Sequence, residues 1–568
     1  MMPHSDPDTS PTPAHRHAAW NIWNNPIFRR YCQSRLRLRG MGITILLTVL
    51  VAGFLVAIAA AVRTRGDFSP VDSARGPIIP LLVVQGLILF VLGTAQVAGG
   101  MTAERDEGVI DYQRLIPMSP LAKVMGYLFG LPVREYVMFL ATLPFMAWCL
   151  WQGEVSWRVW LPLYTAFFTS TLLYYLTGLV TGTVVRNRRW AFLISIGLVF
   201  ALYTVIPQMS RFGLVFFKYL TTSPVFAEAL PGILPKDAGA VVATGQRLLP
   251  TVKFFNLDFS ETVFTLFTQG GLILTFLVSL CRKWRRDESH LLGKIWALGF
   301  FIWVQVLLLG NALPLIEPGN LFPSREFNRM MRLDPNWQPA VMEAMALSAI
   351  YGLLTLGMLH VISSMITPTV DRQIQGWRRA RKLGHPRIPW LTDAGSGWWF
   401  SLAMALAGGV GWYIFTRAVV ESRWFPGQVV PLQVLGYFTA LLFGVGVGFQ
   451  ALLETRGGPV ARLTAILVGV VPLMVGAVFC VIGETFYPIG VWVIGISPFS
   501  QPFYAAGSVL PISDLPDSIA RAVPLAFKFW LLVFALGAGW LARDLLARRK
   551  TIAEASMQAT GAEPIEGA

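Results

Sequence analysis

The chain carries few of the side chains from which active sites are usually built. Six histidines and four cysteines are spread over 568 residues. Cys32, Cys149, Cys281 and Cys480 lack the CxxC spacing of a zinc or redox centre. His4, His15 and His17 have no carboxylate or thiol at ligand spacing, so no metal site is expected. No GxxxxGK[ST] stretch is present to cradle nucleotide phosphates, and HExxH and GxSxG are absent as well. No residue is assigned a catalytic role and no cofactor is expected in this chain. The charges that stand out lie in Met101-Thr102-Ala103-Glu104-Arg105-Asp106-Glu107-Gly108, followed by Leu115-Ile116-Pro117-Met118-Ser119-Pro120. Thr102 suits a helix cap and Gly108 a helix break, so the stretch reads as a short helix and turn. Opposite charges at adjacent positions suit a docking surface. The order acid, base, glycine recurs at Asp371, Arg372 and Gly376, ahead of the basic run Arg378-Arg379-Ala380-Arg381-Lys382.

What positions these charges is a membrane. The chain is 54% hydrophobic and 14% charged, whereas soluble domains carry about 25% charged residues; a soluble enzyme is excluded. Apolar blocks of the length needed to cross a bilayer fall near 41–62, 77–100, 124–151, 159–185, 190–207 and 261–281. They continue at 294–316, 341–366, 397–416, 431–453, 463–483 and 524–543. The expected fold is an all-α polytopic membrane protein of about twelve transmembrane helices. With residue 1 inside, about 29 of the 46 Lys and Arg fall in the inner segments, which predicts cytoplasmic termini. The net charge of +15 therefore reads as topology, not as a nucleic-acid surface.

The chain also repeats itself. Residues 1–20 read as a disordered tail, 21–287 as a first six-span unit, 288–550 as a second and 551–568 as a C-terminal tail. The connectors 101–120 and 367–395 correspond, as do the basic turns 186–189 and 454–462. Ser223-Pro224-Val225-Phe226 answers Ser497-Pro498-Phe499-Ser500. A parallel six-plus-six repeat is a transporter architecture. Within the spans, Arg134, Glu135, Gln305, Asn311 and His360 read best as interhelical polar contacts or snorkelling side chains. Gly178-x-x-x-Gly182 and Gly444-x-Gly446-x-Gly448 read as close helix packing.

Glu104-Arg105-x-x-Gly108, Pro117-x-Ser119 and Val124-x-Gly126 resemble the motif between the second and third spans of type 2 ABC (ATP-binding cassette) permeases, the membrane subunits of many ABC exporters. Asn25-Pro26-Ile27-Phe28-Arg29-Arg30, with Arg35, Leu36 and Arg37, resembles that family's amphipathic elbow helix, and an Asn cap before Pro at the first helical position independently starts a helix there. The second half departs from the pattern in its longer basic connector, and Tyr127 stands where the family often has Lys. The resemblance implies two six-helix units with elbow helices and cytoplasmic coupling helices in a bacterial-type plasma membrane. It assigns Glu104, Arg105, Glu107, Gly108, Pro117, Asp371 and Arg372 to coupling with a separate ATPase dimer, and Pro26, Phe28, Arg29, Arg30 and Arg35 to the elbow. ATP and Mg would be bound by that partner, and the exported substrate is not specified. The alternative is an ion-coupled secondary transporter with two six-helix halves, which would need a titratable relay near the midplane.

Overall fold

A computed structural model describes residues 20–65, 69–185, 187–235, 252–286, 289–331, 336–510 and 517–558. The expected tail before Trp20 and its histidines lie outside these residues. Among the described residues the chain is almost wholly helical, with one two-stranded hairpin, Val252–Phe254 and Leu257–Phe259. Among the described residues twelve helices are long and apolar enough to span a membrane: Gly40–Ala61, Pro70–Asp106, Val133–Gln152, Trp157–Val184, Arg188–Phe212, Glu261–Arg285, Lys294–Ile316, Val341–Ile366, Trp398–Val420, Leu432–Arg456, Gly458–Ile482 and Asp517–Ala555. This is an all-α, multi-pass membrane protein.

The chain divides into two compact units. The first comprises Met1–Pro207, Lys218–Val252 and Phe259–Asp287; the second comprises Gln208–Phe217, Lys253–Asp258 and Glu288–Ala568. Two short pieces that precede the sixth span in the chain, Gln208–Phe217 and Lys253–Asp258, belong to the second unit.

In the first unit the fourth span is the most enclosed, with 67% of its apolar window buried against 11% for the first and 17% for the fifth. The exposed faces of the latter two carry Ile43, Leu46, Leu50, Phe54, Leu193 and Phe200, which suit lipid. The second and fourth spans approach closely because glycine removes the side chain between them. A methyl group at Gly178 would sit 3.0 Å from the Thr94 carbonyl, and one at Gly182 would sit 2.7 Å from Met101 Cβ. In the second unit Gly446 faces Leu359, while Gly444 and Gly448 meet Ala535 and Ala538 of the last span.

Three boundaries differ from expectation. The apolar run 124–151 is two helices, Pro120–Gly130 and Val133–Gln152. Pro132 between them has no N–H to donate and its ring crowds the preceding turn. The helix containing Glu104 does not start at Thr102 but runs unbroken from Thr94 to Asp106, and the Thr102 hydroxyl donates to the Ala98 carbonyl one turn back. The last helix runs from Asp517 to Gln558, past the expected start of a tail at 551, because Arg548 and Arg549 bind the end of another span.

Candidate functional site

The connector of the first unit is built around a buried carboxylate. Gly108, at φ +72°, ends the long second span in a left-handed conformation that glycine adopts without a Cβ penalty. The chain then forms a short helix, Val109–Leu115, and passes through Pro117 to Ser119. The Ser119 hydroxyl accepts from the Ala122 N–H and caps helix Pro120–Gly130, with Pro120 at its first position.

The entry helix, Pro26–Arg35, is capped as its sequence predicts: Asn25 Oδ1 accepts from the N–H groups of Ile27 and Phe28. Asn25 Nδ2 also donates to the Ala122 carbonyl at 2.7 Å, which joins the two helix starts. Gly126 and Gly130, one turn apart, allow the entry helix to lie directly on Pro120–Gly130. A methyl group at Gly126 would stand 2.7 Å from Asn25 Oδ1, and one at Gly130 2.6 Å from a ring carbon of Tyr31. Ile27, Phe28 and Tyr31 are buried, while Pro26, Arg29 and Arg30 are exposed. Arg29 caps the preceding turn through the Trp23 carbonyl and the Asn24 side chain. Arg35 donates to the Leu131 carbonyl at 3.0 Å.

Glu104 lies beneath this pair of helices, with 7% of its surface exposed. Its Oε1 accepts from Arg30 and from the Tyr31 hydroxyl at 2.8 Å, and its Oε2 is 3.3 Å from the Tyr127 hydroxyl. The Tyr127 hydroxyl also donates to Gln113 Oε1 at 2.7 Å, and its ring stacks on Trp284 at the end of the sixth span. Burial, reinforced for each phenol by neighbouring negative charge at Glu104, pushes Tyr31 and Tyr127 far above the ordinary tyrosine range. Both therefore stay protonated and serve as donors. Arg105 turns the other way and donates to the carbonyls of Gly182, Thr183 and Val185. Cation density at a helix C-terminus satisfies carbonyls that have no intrahelical partner.

Glu104 and Arg105 are thus interior ties, not presented side chains. The exposed face of the connector carries Asp106, Glu107, Asp111 and Pro117, together with Tyr112 and Leu115, at 71% and 82% exposed. Tyr112 and Leu115 are one turn apart on the short helix; sequence reasoning passed over Tyr112 and gave Leu115 no role. An exposed aromatic and aliphatic pair on a helix too short to bury them was the available signal.

The second unit uses different residues. Asp371 and Arg372 lie in the first turn of helix Val370–Lys382, and Gly376 sits within that helix instead of ending it, packed against Ala394. Asp371 is exposed. Arg372 donates to His290 Nδ1 at 2.7 Å; because a guanidinium only donates, this nitrogen accepts, and the other, Nε2, donates to the Asp393 carbonyl at 2.9 Å. Burial, and then the charge of Arg372, pushes His290 down to about 4. Lys294 is buried, and its three N–H donors are shared among four carbonyls, those of Trp390, Thr392, Gly395 and Ser396, at 2.7–3.1 Å. Glu454, at the end of the tenth span, accepts from both Arg549 and Gln373. Lys294, Glu454 and Arg549 were legible only as flanking charges, since their partners are backbone carbonyls or residues far along the chain.

Some polar groups within the spans are tied locally, while Glu135 Oε2, Asn311 Oδ1 and both amide atoms of Gln450 are buried without a hydrogen-bond partner. Gln305 donates to Thr355 and accepts from Tyr351; Asn311 donates to the Leu307 carbonyl; His360 Nδ1 lies 2.8 Å from the Leu356 carbonyl. Arg134 is exposed and Glu135 buried. Among the described residues no three His, Cys, Asp or Glu side chains are grouped to hold a metal ion. Compared with protein-family models, with curated proteins and with solved structures, the chain matches none of them.

Proposed function

We propose that this chain is the transmembrane permease subunit of an ABC exporter, supplying both six-span halves and moving its substrate with ATP hydrolysed by a separate ATPase dimer. The observation that carries the reading is the pairing of two six-span units in one chain with a folded, non-spanning connector between the second and third spans of each. Each connector is tied to span ends by buried polar contacts, so force applied to it passes into the spans without bending a loop. In this reading the connectors face the cytoplasm and the ATPase grips their exposed faces. Tyr112 and Leu115 enter pockets on the ATPase, and Glu107 and Asp371 lie at the rim. Glu104, Arg105 and Arg372 transmit the load inward. Closure of the ATPase dimer on ATP then rocks the two halves between inward- and outward-facing states.

The resemblance in Glu104-Arg105-x-x-Gly108 and in the Asn25-Pro26 entry helix supports the family assignment, and the absence of a nucleotide-binding loop from the sequence calls for the second subunit. The test is purification of the tagged full chain from native membranes in mild detergent, comparing wild type with Tyr112→Ala/Leu115→Ala. A P-loop ATPase recovered with wild type and lost from the variant, at equal yield of folded chain, supports the proposal. Recovery of no ATPase with wild type, under conditions that keep other membrane complexes intact, refutes it in favour of the ion-coupled transporter.

A further inference from the structure

The last helix changes character at Arg543. Its preceding turns are apolar through Leu541 and Ala542, and then Arg543, Arg548, Arg549 and Lys550 follow within eight residues, with one acid among them, Asp544, which lines a separate pocket beside Thr455 and Arg456. This basic end lies beside helix Val370–Lys382 and the loop after it, all within the second unit. Between them is a cavity of about 610 Å³. Arg387, Arg543, Arg549 and Lys550 line it, with Trp377 and Leu546 among its apolar residues, and no carboxylate is part of the lining. Arg549 is balanced by Glu454. Arg543 and Lys550 are exposed, as is Arg387.

Guanidinium forks and an ammonium converging on one space match the oxygens of a phosphate group, and the carboxylate behind the lining, Glu454, is taken up by Arg549 and Gln373, so none faces the space. The position favours a particular source. Arg543 follows the apolar run directly, so the cavity begins at the end of that span, where lipid headgroups would meet the protein. Its size is that of a small-molecule site, too large for an inorganic phosphate ion alone but suited to a headgroup whose glycerol lies against Trp377 and Leu546. We propose that this cavity binds a phosphate group, presented by an anionic lipid headgroup.

The test uses the purified full chain, stripped of lipid in detergent, with native mass spectrometry of bound phosphatidylglycerol against phosphatidylcholine. Inorganic phosphate is titrated calorimetrically in parallel. Wild type is expected to hold phosphatidylglycerol saturably and in preference to phosphatidylcholine. Arg543→Gln/Lys550→Gln is expected to weaken that binding by about thirtyfold, each basic residue at a membrane surface contributing on the order of fivefold. Trp377→Ala, which leaves every cation in place, is expected to weaken lipid binding without changing phosphate binding, and it serves as the second variant should the double change lower folded yield. Phosphate binding that the double change abolishes, with no lipid preference, keeps the site and assigns it to a soluble phosphate compound. Equal lipid binding by wild type and both variants, with no phosphate binding, overturns the proposal.

Discussion

Replacing Glu104 with alanine separates a tie from a docking contact. Arg30 and the Tyr31 hydroxyl donate to this carboxylate and the Tyr127 hydroxyl lies 3.3 Å from it, and the three do not lose equally. Arg30 is 46% exposed along its side chain, so water takes over its solvation and its share is about 0–1 kcal/mol. Tyr127 keeps its 2.7 Å bond to Gln113 and loses little. The Tyr31 hydroxyl is different: Tyr31 is 3% exposed, and Glu104 is its acceptor at 2.8 Å. Losing a charge-assisted bond and leaving that donor buried costs about 2–3 kcal/mol. The sum for Glu104→Ala is therefore about 2–4 kcal/mol, and Glu104→Gln, which keeps an acceptor but not the charge, costs about half as much. Reversible unfolding in mixed micelles measures both. A cycle with Tyr31→Phe isolates the pair, since the two changes together should cost about 1–2 kcal/mol less than their sum. If Glu104→Ala is as stable as wild type to within about 0.5 kcal/mol and yet fails to retain its partner, the carboxylate is a docking group and the reasoning fails.

Gly126→Ala and Gly130→Ala each place a methyl group where Asn25 or Tyr31 already stands; each is expected to cost about 1–3 kcal/mol and to open the entry helix to added protease. Lys294→Met removes the donor shared by four loop carbonyls and should expose the 383–397 loop, read as faster cleavage there with the spans still inserted. His290 is held down to about 4 by burial and Arg372, below the roughly 6.5 of an unfolded histidine. Its contribution is present in full above about pH 6.5 and is lost as the pH falls toward 4, by about 3 kcal/mol at most. Asp393 and Lys294 also face it. Unfolding followed from pH 7.5 to 4.5 should show that slope in wild type and a shallower one in His290→Gln; equal slopes would remove His290 as its source.

The spans were legible because hydropathy is a property of the chain alone. Twelve apolar blocks became twelve helices, and the Asn25 cap and the Gly108 break each depend on residues within a few positions. The 124–151 run misled because its composition is apolar throughout, and composition does not register the hydrogen bond that Pro132 cannot make. At the connectors, charge pattern singled out Glu104, Arg105 and Arg372 as docking contacts, but it carries no information about which way a side chain turns. Glu104 reaches residues 74 and 73 positions away, and Glu454 reaches one 95 positions away. Such pairings exist only once the helices have packed.

The two units meet one physical requirement by different routes. A helix that ends at a membrane surface leaves carbonyls without partners and a partial negative charge, and in both units the fourth span ends this way. In the first, Arg105 from the second span reaches the carbonyls of Gly182, Thr183 and Val185. In the second, Arg548 from the last span reaches the Thr455 carbonyl, while its neighbour Arg549 binds Glu454 one residue before. The same end is closed by a cation in each case, but the helix that supplies it differs. Tension on the first connector therefore passes directly from the second span into the fourth. In the second unit the connector helix touches the fourth span through Gln373 and Glu454, and Glu454 is shared with the last span. A push on Val370–Lys382 must therefore move two spans together. The two connectors differ in size as well: the second holds a thirteen-residue helix and the first a seven-residue one.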